Sequence, residues 1–113
     1  MIKIYHNPRC SKSRLGVAYL EDKNAEFEIV KYLDNPFTIE ELTNVLSKLN
    51  LAPIEVIRKN EAIWKSDFKG KTLSDAELIE AMVKNPKLIE RPIVVNGSKA
   101  VVARPTERID EIL

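Results

Sequence analysis

The first thirty residues hold the strongest constraint on what this chain can fold into. Ile2, Lys3, Ile4, Tyr5 and His6 alternate or run apolar as a short strand does, and Asn7-Pro8 closes it with a turn signal. A helix is predicted to begin at Cys10 or Ser11, with Leu15, Ala18 and Tyr19 at helical spacing, and to fray out by Asp22 to Asn24. Phe27, Ile29 and Val30 supply a second strand, ended by Asp34-Asn35-Pro36. Strand, helix and strand within roughly thirty residues make a parallel crossover unit, and such crossovers are almost always right-handed.

The middle of the chain is helical in pattern. Thr38 and Glu41 form a capping-box signature, and Ile39, Leu42, Val45, Leu46 and Leu49 trace one helical face as far as Asn50. Pro53 can start a short further helix through Lys59. From Glu61 to Thr72 the chain is Lys-rich, with Ile63, Trp64 and Phe68 as anchors, and reads as a partly irregular surface stretch. Ser74 and Glu77 make a second capping box, opening a helix with Leu78, Ile79, Met82 and Val83 on its apolar face, and Pro86 ends it. Strand patterns then return. Ile93, Val94 and Val95 run into Asn96-Gly97, the strongest short hairpin signal, and Ala100 to Ala103 follow. Pro105 sits early in a final helix, with Ile109, Ile112 and Leu113 facing inward. The order β-α-β, helices, β-β-α is that of an α/β, thioredoxin-like (glutaredoxin-like) domain. Its mixed four-stranded sheet would have two parallel strands completed by an antiparallel hairpin. Residues 1–113 are read as one such domain with a helical insertion at about 38–88.

Composition narrows the function classes. A chain of 113 residues with 44% apolar side chains can build a core without staples, and its one cysteine cannot make an intrachain bridge. Eighteen Lys and Arg against seventeen Asp and Glu leave a net charge of +1, which argues against a nucleic-acid footprint. No apolar run approaches the ~20 residues of a membrane span. Lys3, His6, Asn7 and Arg9 interrupt any signal-peptide core, so a cytoplasmic location is the expectation. One His and one Cys with scattered carboxylates lack metal-ligand spacing, and no bound cofactor is expected.

The chemistry gathers at Cys10. It stands where a strand ends and a helix begins, so unpaired backbone N–H groups and the helix dipole favour a thiolate there. Arg9, Lys12 and Arg14 add positive charge, and His6 closes the strand on the same rim. Cys10-Ser11-Lys12-Ser13 has the spacing of a redox Cys-x-x-Cys motif whose second cysteine is serine. No resolving thiol exists in the chain, so an external thiol must clear any adduct of Cys10.

The run His6-Asn7-Pro8-Arg9-Cys10-Ser11-Lys12-Ser13-Arg14 closely resembles the arsenate reductase family that works with glutathione and glutaredoxin. The likeness continues through Ile57-Arg58-Lys59-Asn60, Asn85-Pro86, Glu90-Arg91-Pro92-Ile93-Val94-Val95 and Ala103-Arg104-Pro105. Members commonly extend beyond the point where this sequence stops, so it resembles a short form without the C-terminal extension. The resemblance implies that Cys10 attacks arsenic and that His6 helps keep the thiol ionised. It further implies that Arg58, Arg91 and Arg104 hold arsenate or a similar oxyanion, and that Pro92 is the cis-proline facing the cysteine. Ser13 and Arg14 have supporting roles at the helix start and in the anion field. Glutathione as co-substrate and glutaredoxin as partner follow from the same likeness.

Guanidinium groups suit an oxyanion because they are forked donors that keep their charge. One such charge at ~4 Å is worth about 4 kcal/mol at an effective dielectric of about 20, before desolvation. Taken singly, each arginine also has a structural reading: Arg58 at a helix C-terminus, Arg91 and Arg104 paired with Glu90 and Glu107. Two other functions stay open. The Cys-x-x-Ser spacing permits a monothiol reductase of glutathione mixed disulfides. The fold also serves non-enzymatic adaptors of RNA polymerase, whose Cys-x-x-Cys switch Ser13 would break.

Overall fold

The computed structural model describes residues 1–113. In chain order it contains β1 (Ile2–Tyr5), α1 (Ser11–Asp22), β2 (Phe27–Val30), α2 (Ile39–Leu49), α3 (Ala62–Asp67), α4 (Asp75–Lys84), β3 (Ile93–Asn96) and β4 (Lys99–Val102). Turns of 3₁₀ helix occupy Pro53–Val56, Pro86–Leu88 and Thr106–Ile112. No helix is long and apolar enough to cross a membrane. The chain divides into two compact units, Met1–Asn35 with Arg91–Leu113, and Pro36–Glu90.

The first unit carries the α/β, thioredoxin-like sheet, with strands in the order β2-β1-β3-β4. β1 runs parallel to β2 and antiparallel to β3, which pairs antiparallel with β4. Ile4, Val94 and Val101 stand in one row across β1, β3 and β4, and Leu20, Ile109 and Ile112 close over that face as a buried cluster. The hairpin is where its sequence predicts it, but its turn is displaced by one residue. Asn96 pairs with Lys99 inside the ladder, so the loop is Gly97-Ser98, with Gly97 at a φ of 62°. Glycine at the first central position suits that turn, while the Asn96 amide donates to the Ile112 carbonyl at 2.6 Å and anchors the chain's end.

Helix α1 is rotated from the face that its apolar spacing suggests. Leu15 is 51% exposed and Ala18 is exposed, whereas Ser13, Gly16 and Leu20 are buried. The reason is close approach. A Cβ at Gly16 would lie 3.0 Å from Pro92 Cγ and 3.1 Å from Ile4 Cδ1, so only a residue without a side chain fits that contact unchanged. The final helix is likewise a correction: Thr106–Ile112 is 3₁₀ rather than α. Three residues per turn place Ile109 and Ile112 directly above one another, and both are buried, while Leu113 turns outward at 53% exposure.

In the second unit both capping boxes form. Thr38 Oγ1 accepts from Glu41 N–H at 3.1 Å at the start of α2, and Ser74 Oγ accepts from Glu77 N–H at 3.2 Å at the start of α4. Leu42, Val45 and Leu46 of α2 are buried, as are Leu78, Ala81 and Met82 of α4, but Ile39 is exposed. The stretch expected to be irregular contains α3, on which Trp64 is buried and stacks on Phe68 at 5.7 Å. Six residues are too few to display a helical period. Ile57 and Ile89 form an antiparallel bridge, flanked by Arg58 N–H on the Leu88 carbonyl and Glu90 N–H on the Val56 carbonyl. That pairing sets Arg58 and Glu90 beside each other.

The rotation of α1 sets opposite costs for neighbouring positions. Gly16→Val is expected to lower stability by about 2 kcal/mol through overpacking, whereas Leu15→Ala changes it by less than about 0.5 kcal/mol. Urea unfolding midpoints of the two variants check this.

Candidate active site

The loop from β1 to α1 shapes itself by local hydrogen bonds. Cys10 N–H donates to the Asn7 carbonyl at 3.0 Å, and Arg9 N–H donates to Asn7 Oδ1 at 3.0 Å. Cys10 is the N-cap of α1, with extended backbone, and its carbonyl accepts the Arg14 N–H at 3.0 Å. No acid stands in the first turn of α1. The part-exposed thiol therefore sits at a helix end whose field favours an anion and is not offset by a local carboxylate. Arg14 turns back, its Nη1 donating to the Pro8 carbonyl at 2.9 Å, so it braces this loop as well as charging it.

Arg104 brings a full positive charge to the sulfur. Its Nη2 lies 3.7 Å from Cys10 Sγ, and its Nε donates to the Arg91 carbonyl at 2.7 Å. The second bond fixes the plane of the guanidinium and so aims the first. Segments 91–92 and 103–104 lie side by side, because Ala103 N–H donates to the Pro92 carbonyl at 2.9 Å. The Arg91–Pro92 peptide bond is cis, and so is Arg104–Pro105, which the sequence pattern does not reveal. Pro92 is fully buried, over Gly16 of α1. Arg91 is part-buried, and its Nε is buried without a hydrogen-bond partner, the mark of a guanidinium not fully satisfied by the protein.

His6 lies at the end of β1 and is buried, with Nδ1 2.8 Å from Ser13 Oγ. The same oxygen accepts Asn7 N–H at 2.9 Å. Ser13 thus joins strand end, loop and helix, a role that spacing alone could not assign. Burial, and then the nearby charges of Lys31 and Arg14, hold the imidazole below its ordinary pKa, although the bond to Ser13 acts the other way. The bond from His6 to Ser13 ties the end of β1 to the first turn of α1.

Arg58 belongs to the second unit. Its Nη1 donates to Glu61 Oε2 at 3.0 Å and its Nε lies 4.0 Å from Glu90 Oε1. Glu61 is three residues on, a spacing visible in the sequence, whereas Glu90 arrives through the bridge of Ile57 and Ile89.

Because the folded-state pKa of His6 is depressed, the unfolded chain takes up a proton first as pH falls. Stability is therefore expected to hold above the ordinary histidine value, to decline below about 6.5, and to stop declining from this source once pH passes the lower native value. An NMR titration of the single imidazole should give a midpoint below that of an unstructured peptide, with unfolding free energies following the same window.

Residues 5–112 match the family model described as the ArsC family. The chain is 44% identical to the uncharacterized protein YfgD of Escherichia coli (strain K12), covering 99% of this chain and 96% of that one. It is 41% identical to an arsenate reductase of Neisseria meningitidis, over 99% and 97% of the two chains. Among solved structures it is similar to an arsenate reductase from Vibrio cholerae, with a TM-score of 0.94, 42% identity, and coverage of 99% and 97%.

Proposed function

The chain belongs to the ArsC family, and from that premise we propose that it is an oxidoreductase that reduces arsenate to arsenite through Cys10. The observation that carries this is the Arg104 fork, held by the Arg91 carbonyl and set 3.7 Å from the Cys10 sulfur. A thiol with a permanent cation beside it suits attack on an anionic centre, because the cation favours both the thiolate and the charge it approaches.

In the first step the Cys10 thiolate bonds to As(V) and an arsenate oxygen leaves as water after taking up a proton. Arg104 and Arg91 stabilise the remaining arsenate oxygens, the latter with an Nε that has no other partner. Arg58, the third arginine that the family likeness implies, belongs to the second unit, where its guanidinium is shared with Glu61 and Glu90. Glutathione then displaces a second oxygen as water, leaving arsenic bonded to two sulfurs. A glutaredoxin thiolate attacks the glutathione sulfur, forming a disulfide between them, and the electron pair of the broken S–As bond reduces arsenic to As(III). Water finally hydrolyses the Cys10–As bond, releasing arsenite and restoring the thiol. The chain's own share is a nucleophilic sulfur and preorganised cations.

A second function, reduction of glutathione mixed disulfides, needs the thiol but not the oriented arginines. Arsenate-dependent NADPH oxidation, coupled through glutathione, glutaredoxin and glutathione reductase, is expected to vanish in Cys10→Ser. In Arg104→Ala kcat/KM should fall by about 100-fold. A Cys10→Ser protein as active as the parent, or faster turnover of a glutathionylated peptide than of arsenate, would sink the proposal.

A further inference from the structure

The lysine-rich stretch that follows Arg58 has no role in the reaction proposed above, yet the fold gathers its charges at one place. Lys59, Lys65 and Lys69 converge on a cleft of about 440 Å³ within the second unit, and Asn60, Trp64 and Gly70 complete its wall. We propose that this cleft binds a small ligand carrying linked phosphate groups.

Local structure brings the lysines together. Lys59 and Asn60 precede α3 and Lys65 lies on it. The Trp64 carbonyl accepts the N–H groups of both Phe68, at 3.0 Å, and Lys69, at 2.8 Å, which folds the chain back so that Lys69 and Gly70 return to the same cleft. Gly70 has a φ of 84°, a conformation that side chains rarely adopt, and nothing lies within 4 Å of where its Cβ would stand. The backbone is therefore open to close approach there. Its N–H makes no hydrogen bond within the chain.

The charge of this cleft is uncompensated. None of its three lysines is in an ion pair, and the Asn60 amide bonds to no other group of the chain. Of the two acids in the stretch, Glu61 is paired with Arg58 and Asp67 accepts from Ser66 Oγ at 2.8 Å, and neither lines the cleft. Clefts elsewhere carry Asp34, Asp75, Glu77 or Glu107 in their walls. Three like charges facing one hollow repel each other, and an anion set among them offsets that repulsion. Ammonium groups serve phosphate as point charges, while the Asn60 amide and the Gly70 N–H are neutral donors for further oxygens. The volume falls within the roughly 300–1,000 Å³ of small-molecule pockets and exceeds what a lone tetrahedral anion fills, so linked phosphates suit it better. A bounded hollow also favours a compact ligand over an acidic peptide, which calls for cations in a row.

Trp64 is the chain's only tryptophan and lines the cleft, so its fluorescence reports occupancy directly. The test is a titration of the full chain with sodium pyrophosphate at fixed ionic strength, read by Trp64 emission and by calorimetry, with orthophosphate, sulfate and a hexaglutamate peptide in parallel. Saturable binding of pyrophosphate is expected, about tenfold tighter than that of orthophosphate or sulfate. Lys65→Glu and Lys69→Glu should each weaken it about tenfold, whereas Lys99→Glu, on β4 and outside the cleft, should leave it unchanged. Circular dichroism reports whether each variant is folded. The proposal is overturned by a titration that does not saturate by either method, by sulfate or orthophosphate binding as tightly as pyrophosphate, by hexaglutamate binding more tightly, or by equal weakening in all three variants. Arsenate turnover enters none of these readings, so the site and the reaction stand or fall separately.

Discussion

The contact of α1 with Pro92 and Ile4 through Gly16 governs the rest of this molecule. A helix brought that near to a strand and a buried proline must turn its smallest residues inward. Ser13, one turn earlier on the same face, is thereby carried to His6 and to the Asn7 amide. Cys10, at the head of the helix, is left at the surface beside Arg104. Leu15, on the opposite side, is turned out to solvent. One steric constraint thus determines which of these residues are buried and which stay at the surface.

Electrostatics at Cys10 comes from two sources of different range. The helix end and its unopposed first turn provide partial charge that decays within a turn, while Arg104 provides a whole charge at short distance. Burial and the neighbouring cations hold the His6 imidazole below its ordinary pKa. Its hydrogen bond to Ser13 couples the end of β1 to the first turn of α1. Arg104 thus stands beside the sulfur, while the His6–Ser13–Asn7 hydrogen bonds join strand end, loop and helix. Arg58, bonded to Glu61 and near Glu90, shows that the three arginines implied by the family likeness do not share one environment.

Much of the architecture was legible in the chain because local rules act over a few residues. Two capping boxes mark the starts of α2 and α4, Asn50 in a left-handed conformation stops α2, and a glycine-containing turn joins β3 to β4. The failures have equally specific causes. A six-residue helix at Ala62–Asp67 is too short for a period to show, and Asn96, a turn former by preference, is drawn into the ladder by its bond to the Ile112 carbonyl. Leu113, apolar and expected to face inward, turns out to solvent, and Leu15 is exposed, because burial depends on what lies opposite: Pro92 and Ile4 come so near α1 at Gly16 that they leave no space for a Cβ.

The amino-acid order by itself determined the sequence of strands and helices, the placement of a lone cysteine at a helix start, and the kinds of side chain available around it. Hydrogen bonding, capping and hydrophobic period act between near neighbours, so a string can display them. Only the tertiary structure decided the rotation of α1, the approach of Arg104 to Cys10 across ninety-four positions, and the different surroundings of Arg91 and Arg58. Those depend on packing and on charges brought together by the fold, and neither quantity exists until distant segments share the same space.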